Sequence, residues 1–219
     1  LDDETQYAFA SLLGEPTAPH PTVTSRGDQL LTIEGAANSW HTDVTFVERP
    51  PVGSILRAVV VPRAGGDTLF SDQVAAYESL SASLQAFLED LTATHDGRAA
   101  FQGVLDQVGE GSWEGEACTA LEPVVHPVVR THPETGKRSL FVNPGFTSHI
   151  NELSRAESDA LLGFLYEHSV RPEHVVRRHW TAGDIGFWDN RVTQHAVVGD
   201  YGDAHRVIQR VTLKGERPV

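Results

Sequence analysis

The sequence has 219 residues, of which 40% are hydrophobic and 21% charged, a composition that suits one globular domain. Its formal net charge of −13 disfavours binding to nucleic acid or to anionic membrane surfaces. Because Cys118 is the only cysteine, an internal disulfide is excluded and a reducing, cytoplasmic setting is favoured. No apolar run approaches the ~18 residues that a membrane-spanning helix needs.

The N-terminal part of the chain predicts one helix followed by strands. The helix is expected to end near Gly14, because apolar residues recur at helical spacing before it: Tyr7, Phe9, Leu12 and Leu13. Residues 30–33 predict a short strand. Residues 40–46 and 54–61 predict two longer strands, the second of which ends at Pro62.

The central part predicts a helix, a long loop and a hairpin. Residues 72–91 follow a helical period, whereas residues 95–122 are rich in Gly and Glu and lack regularity. Loops of that length are often lids or binding loops, and we expect one here. Residues 124–131 and 139–143 flank a turn at 133–136, which indicates a β-hairpin.

The C-terminal part predicts a helix and then strands. Ser154 and Glu157 have the spacing of a capping box, which opens a helix. Strands are expected at 175–180, 184–188 and 206–213. Many short strands with few helices predict a mainly β protein, a barrel-like or sandwich core with helical decoration.

A pair of metal-ligating residues lies in the predicted strand 40–46. His41 and Asp43 are two residues apart, so their side chains would project from one face of a strand. An imidazole and a carboxylate ~6–7 Å apart along the backbone can bind adjacent positions of one metal ion. In a chain with 11 histidines this pair alone is a weak signal.

A second cluster strengthens the hypothesis. His195 is followed 11 residues later by Arg206 and then by Arg210. In a strand the two arginines would share one face, ~13 Å apart. Their surroundings read as a core strand, and burying a guanidinium costs several kcal/mol unless an anion meets it. Two anionic ligand groups explain the pair better than surface ion pairs do.

Longer segments of the chain resemble one enzyme family. From about Gly14 to Pro218, in order, they are similar to the TauD/TfdA group of Fe(II)- and 2-oxoglutarate-dependent dioxygenases, and most similar to its taurine dioxygenase type. The segments are WHTDVTF (40–46), GGDTLF (65–70), HPVVRTHPETGKRSLFVNPGF (126–146) and WDNRVTQH (188–195). The resemblance implies a double-stranded β-helix (jelly-roll) core in a single domain, 1–219. It also implies additional strands before Leu1.

The resemblance assigns roles to particular residues. His41, Asp43 and His195 would hold Fe(II) and carry catalysis. Arg206, helped by the Thr68 hydroxyl, would bind the distal carboxylate of the cosubstrate 2-oxoglutarate. Four residues would bind substrate, the first of them through its anionic head: Arg210, Phe146, Asn38 and His20.

The residues themselves leave the last three assignments open. Phe146 is equally well explained as a core residue, and Asn38 as a loop residue. The loop after His20 is shorter than in the family. Trp188 and Asn190 are expected to support His195 from behind, and three further histidines are expected to be structural or exposed: His126, His132 and His149.

The implied reaction consumes O2 and 2-oxoglutarate and yields succinate and CO2 while a small sulfonate such as taurine is hydroxylated. The product decomposes to sulfite and an aldehyde. Alternatives within the family are an alkylsulfatase or an enzyme for another small anion, such as an aryloxyacetate. A binding module without iron and a zinc hydrolase explain the arginines less well. Family members are commonly dimers or tetramers, so a homo-oligomer is expected, with no nucleic-acid or membrane partner.

Overall fold

The protein is described by a computed structural model, which covers residues 2–17, 31–33, 39–98, 100–101 and 122–219. Its described part is mainly β-sheet with few helices, as the sequence predicted. In that part no helix is long and apolar enough to cross a membrane.

The described helices are short except for the last. In chain order they are α1 (Asp3–Leu13), α2 (Gln73–Glu78), α3 (Ala82–Leu88) and α4 (Arg155–Ser169), with a 3-10 turn at Pro172–His174. The capping box predicted at Ser154 and Glu157 is present and begins α4.

Twelve strands are described. In chain order they are β1 (Leu31–Ile33), β2 (Gly53–Val60), β3 (Thr68–Asp72), β4 (Thr92–His95), β5 (Val124–Pro127), β6 (Val129–Thr131), β7 (Arg138–Leu140), β8 (Thr147–Ile150), β9 (Val175–Arg178), β10 (Ile185–Asp189), β11 (Thr193–Val197) and β12 (Val207–Leu213). The predicted hairpin is confirmed, because β6 and β7 pair with Val129 opposite Leu140.

Two antiparallel sheets carry the residues of the predicted site. The larger has the strand order β1-β12-β2-β10, and the smaller has the order β11-β3-β9. An isolated bridge between His41 and His195 extends the smaller sheet beyond β11. Side chains of the two sheets meet in one apolar cluster, in which Ile208 of β12 and Leu56 of β2 pack with Phe70 of β3.

Helix α1 covers the opposite face of the larger sheet. Ala10 packs on Ile55 and Val211, and the buried Gln6 donates through Nε2 to the main-chain oxygens of Ile55 and Gln209. The apolar residues that predicted this helix are largely not its buried face, since Leu12 is 83% exposed. The helix is thus predicted correctly, but a polar side chain anchors it.

A second core lies away from these sheets. Buried residues of α2 and α4 pack there against β4, β6, β7 and β8, around Leu140 and Leu165. The single helical period of residues 72–91 is broken into α2 and α3, because Ser81 accepts from the main chain at Leu84 and caps a new helix.

One predicted strand is wrong. Only His41 of residues 40–46 pairs with another strand, and residues 43–46 form a turn. Of the predicted loop at 95–122, only residues 95–98, 100–101 and 122 are described. His95 ends β4 and residues 98 and 100–101 are helical, so the start of this segment is more regular than predicted.

Candidate metal centre and cosubstrate pocket

The two histidines of the predicted site are paired through their main chains. The His41 amide donates to the His195 carbonyl at 3.0 Å, and the His195 amide donates back at 2.8 Å. Their ring centroids lie 4.3 Å apart. Residues 154 positions apart in the chain are therefore brought together by strand pairing rather than by local spacing.

Asp43 completes the group from the following turn. Its Oδ1 lies 3.7 Å from Nε2 of His41 and 3.9 Å from Nε2 of His195. One ligand atom from each of the three residues falls within 4.8 Å of the others. The other carboxylate oxygen, Oδ2, accepts from the Ser54 hydroxyl at 2.7 Å. Hence Oδ1 is the oxygen that faces both imidazoles.

Asn190 fixes the turn that presents Asp43. Its Oδ1 accepts from the Asp43 amide at 3.0 Å, and its Nδ2 donates to the carbonyls of Asp43 and Pro51 at 3.0 and 2.9 Å. Asn190 thus supports Asp43, not His195 as the sequence suggested. The next residue, Val44, has φ of +55°, a costly conformation for a β-branched side chain that these bonds help to hold.

The electrostatics favour two neutral imidazoles around one carboxylate. Burial lowers the pKa of His41 and lowers that of His195 to about 3. Burial raises the pKa of Asp43, but Arg210 and both histidines outweigh it and the net shift is downward. Nδ1 of His41 lies 2.9 Å from the Ser39 carbonyl, which must accept its proton and leaves the Nε2 lone pair free.

Two aromatic rings pack against His195, Trp188 at a tilt and Phe70 nearly parallel to it. The Trp188 ring lies 4.8 Å and the Phe70 ring 6.0 Å from the His195 ring, centroid to centroid. Trp188 therefore supports His195, as the sequence suggested. Among the described residues, none hydrogen-bonds to Nδ1 of His195.

Arg210 meets its anion inside the protein. Its side chain is buried and its Nη1 forms an ion pair with Oδ1 of Asp43. The sequence indicated anionic ligands for both arginines, whereas the structure supplies a carboxylate of the chain to this one. Nε of Arg210 is buried and has no hydrogen-bond partner in the described part of the chain.

Arg206 is buried and has no carboxylate partner among the described residues. It is 4% exposed, its Nε donates to the Gly66 carbonyl at 3.2 Å, and its Nη2 is buried without a partner there. Gly66 has φ of +75°, and a Cβ at this position would lie 3.1 Å from Cδ of Arg206. Asp200 accepts from the Gly66 amide at 2.8 Å and holds this turn.

Thr68 lies two residues beyond Gly66, at the start of β3. It is 1% exposed, and its Oγ1 accepts from Nε1 of Trp180 at 2.9 Å. Phe146 lies at the metal-ligand group, with its ring 6.2 Å from that of His41 and in edge-on contact. The two remaining predictions, Asn38 and His20, fall outside the described residues.

Sequence reasoning missed several groups that hold this site. Ser54 carries no motif, and the anchoring of Asp43 by Asn190 depends on a contact across 147 residues. The segment WDNRVTQH contains Asn190, but only the structure shows that Asn190 holds Asp43. Trp180 and Asp200 were not singled out by any pattern.

Comparison with known proteins identifies the family. The model of the taurine catabolism dioxygenase TauD, TfdA family matches residues 1–212. The chain belongs to this family. The resemblance noticed in the sequence is therefore confirmed.

Two relatives of this TauD/TfdA chain have names that refer to sulfate esters. It is 44% identical to the alpha-ketoglutarate-dependent sulfate ester dioxygenase of Pseudomonas putida, over 100% of this chain and 75% of the relative. It is 43% identical to an alkylsulfatase of Acinetobacter baylyi, over 99% of this chain and 70% of that protein.

Solved structures agree with the class. A taurine dioxygenase from Burkholderia xenovorans superposes with a TM-score of 0.84 at 38% identity, covering 100% of this chain and 74% of the other. These relatives and structural neighbours confirm the predicted enzyme class, an α-ketoglutarate (2-oxoglutarate)-dependent dioxygenase.

Proposed function

We propose that the protein is an Fe(II)- and 2-oxoglutarate-dependent dioxygenase that oxidises a small organosulfur anion. The observation that carries this proposal is the group formed by His41, Asp43 and His195, together with the buried guanidinium of Arg206, which has no carboxylate partner among the described residues. Two imidazoles and one carboxylate form the donor set that non-haem Fe(II) oxygenases use, and it leaves coordination positions open. A zinc hydrolase would have no use for Arg206.

The chain prepares these donors for a metal. Nε2 of His41 is free to bind, since its Nδ1 is engaged by the Ser39 carbonyl. Ser54 donates to Oδ2 of Asp43, so Oδ1, which also pairs with Arg210, would be the ligand atom. Bound iron would supply activation of O2, coupled to oxidation of 2-oxoglutarate to succinate and CO2.

Arg206 and Thr68 are proposed to bind the distal carboxylate of 2-oxoglutarate. A buried guanidinium costs several kcal/mol unless an anion meets it, whereas Arg206 donates to the neutral Gly66 carbonyl and lies 5.9 Å from the centroid of the Tyr201 ring, with no carboxylate beside it among the described residues. Arg–carboxylate pairs are short and are often bidentate, which would orient the cosubstrate as well as bind it.

Arg210 is proposed to bind the anionic head of the substrate. Its Nη1 is engaged by Asp43, while its Nε remains a buried donor. Phe146 would supply an apolar wall beside His41. A substrate whose anionic head met Nε of Arg210 would have its remaining atoms on the side of the metal-ligand group, because Arg210 also pairs with Asp43.

The substrate is proposed to be an organic sulfate ester, with a sulfonate such as taurine as the second candidate. Two relatives that share 44% and 43% identity are a sulfate ester dioxygenase and an alkylsulfatase, whereas the taurine dioxygenase structure shares 38%. The sequence alone favoured taurine. Because of these two relatives, a sulfate ester is now placed before taurine as the proposed substrate.

The two site-bearing sheets are proposed to form a double-stranded β-helix. Strand orders β1-β12-β2-β10 and β11-β3-β9, with His41 bridged to β11, give two antiparallel sheets whose facing side chains share one cluster. The metal-ligand group lies at the edge of the smaller sheet where His41 pairs with β11.

Product analysis tests the proposal. Purified protein is incubated with Fe(II), ascorbate, 2-oxoglutarate and O2, and with either a medium-chain alkyl sulfate or taurine. We expect succinate together with inorganic sulfate and an aldehyde from the alkyl sulfate. Sulfite from taurine, with no turnover of alkyl sulfates, would reverse the substrate order. No substrate-dependent succinate from either compound would contradict the proposed substrate class.

A further inference from the structure

The hydrogen bond between Trp180 and Thr68 has a fixed direction. The indole N–H can only donate, so Thr68 Oγ1 is the acceptor at 2.9 Å. Both side chains are buried, at 2% and 1% exposure. No acceptor among the described residues takes the hydroxyl proton of Thr68 in return. With one lone pair occupied by the indole, the Thr68 hydroxyl is left to donate to another group.

The neighbours of Thr68 in the fold are residues of the candidate site. In β3, Thr68 and Phe70 share one face, and the Phe70 ring stacks on that of His195. Thr68 lies opposite Val197, two residues beyond His195. Two residues before Thr68, the Gly66 carbonyl accepts from Arg206. Thr68 is thus two residues from Phe70, which contacts a metal-ligating histidine, and two residues from Gly66, which accepts from Arg206.

We propose that Trp180 is a positioning residue for the cosubstrate. By donating to Thr68 Oγ1, it turns the hydroxyl proton toward the distal carboxylate that Arg206 binds. A hydroxyl that both donates to an anion and accepts from an indole is also a stronger donor, because hydrogen bonds in a chain polarise one another. This inference rests on the proposed function and adds a residue that does not itself touch the cosubstrate.

The indole is held in one orientation. A Cβ at Gly186 would lie 2.6 Å from Cη2 of Trp180, so the absence of a side chain there makes room for the ring. The Arg178 guanidinium lies 5.6 Å from the ring centroid on the outer side. The Trp180 ring is therefore confined between Gly186 and Arg178, and its N–H points in a fixed direction, toward Thr68.

A binding experiment tests the proposal without turnover. Calorimetry on Mn(II)-loaded protein measures the affinity of N-oxalylglycine, a 2-oxoglutarate mimic that binds with Mn(II) in a structural neighbour, AAD-2 (TM-score 0.79). Trp180→Phe keeps the ring and removes the donor, and we expect about fivefold weaker binding. Thr68→Val removes the hydroxyl, and we expect at least about tenfold weaker binding, because that bond is charge-assisted.

The controls separate positioning from a general structural effect. In the Thr68→Val background, Trp180→Phe should have no additional effect, whereas in Thr68→Ser, which keeps the hydroxyl, it should still weaken binding. The affinity for 2-oxobutanoate, which lacks the distal carboxylate, should be the same in wild type and Trp180→Phe. The proposal would be overturned if Trp180→Phe weakened the binding of both ligands equally. It would also be overturned if Trp180→Phe weakened N-oxalylglycine binding as much in the Thr68→Val background as in wild type.

A second measurement serves if Trp180→Phe does not fold. In protein labelled with ¹⁵N-tryptophan, the Trp180 indole resonance should shift when N-oxalylglycine binds wild type and should not shift in Thr68→Val. An unchanged wild-type resonance at saturation would contradict the inference. Failure of metal-loaded wild type to bind N-oxalylglycine would contradict the proposed function as well, which distinguishes the two failures.

Discussion

The side chain of Asn190 hydrogen-bonds to both the main-chain amide and the main-chain carbonyl of Asp43. The Asp43 amide donates to Oδ1 of Asn190, and Nδ2 of Asn190 donates to the Asp43 carbonyl, each at 3.0 Å. A carboxylate presented on a turn, followed by Val44 at positive φ, has no strand to fix its direction. The amide of Asn190 supplies the fixation that strand pairing gives to His41.

We predict that Asn190→Ala weakens metal binding by about 10- to 100-fold, since residues that orient ligands affect metal affinity to this extent. The change also leaves the Asp43 amide and two carbonyls unpaired in a buried setting, which should lower the free energy of unfolding by about 2–4 kcal/mol. Mn(II) titration and urea denaturation measure the two effects.

Asn151→Ala is the matched control. Asn151 also makes side-chain hydrogen bonds, to Thr92 and Thr94, but it is exposed. Water can replace those bonds, so we expect a loss of less than about 1 kcal/mol and unchanged metal affinity. Equal effects of the two substitutions would contradict the role given to Asn190.

A methyl group at Gly66 should impair cosubstrate binding. Both Gly66 and Gly136 have positive φ, +75° and +69°, but only at Gly66 would a Cβ meet another group, Cδ of Arg206 at 3.1 Å. Gly136→Ala should therefore cost about 1 kcal/mol of stability through strain alone. Gly66→Ala should pay a similar cost and also raise the KM for 2-oxoglutarate about tenfold, as steady-state kinetics would show. An unchanged KM would contradict the proposed pocket.

Arg210 should stabilise the metal-free protein. Replacing it by Met leaves the buried Asp43 without its guanidinium partner, and breaking a buried ion pair from one side costs about 3–5 kcal/mol. We expect Mn(II) to recover part of this loss, so the metal-induced rise in Tm should be larger in Arg210→Met than in wild type. Thermal denaturation with and without Mn(II) measures it, and equal rises in the two proteins would contradict the account.

Buried histidines behind the site should make the fold sensitive to acid. Burial lowers the pKa of His126 from 6.5 to about 4 and that of His95 well below 6.5. In the unfolded chain both titrate near their usual value. The unfolded state therefore binds more protons below pH 6.5, and stability falls as the pH drops toward 4.

His126→Gln isolates one of these histidines. The variant should be less stable than wild type at pH 7.5, and the difference should shrink by about 3 kcal/mol by pH 4, since each pH unit within the window contributes about 1.4 kcal/mol. Urea denaturation across this range measures it. A difference that does not change with pH would contradict the assigned shift.

The sequence predicted the secondary-structure elements better than it predicted which strands pair with each other. Helix α4, the β6–β7 hairpin and strand β12 follow from capping, turn and alternation signals, which are local. Residues 40–46 failed as a strand because only His41 finds a pairing partner, and that partner lies 154 residues away. Local propensity carries no information about such a pairing.

The candidate site shows the same limit. Motif resemblance named the residues now found together at the metal-ligand group, and alternation placed Arg206 and Arg210 in a buried strand. Neither the resemblance nor the alternation indicated that Arg210 pairs with Asp43 or that Trp180 donates to Thr68. These contacts join residues 167 and 112 positions apart in the chain, and local sequence signals do not specify them.

Anaerobic titration of the protein with Fe(II) and 2-oxoglutarate tests the central claim most directly. Wild type should develop a weak visible charge-transfer band that saturates at one iron per chain, and folded Asp43→Ala and Arg206→Met should fail to develop it at the same concentrations. No band in folded wild type, or an equal band in Asp43→Ala, would contradict the account.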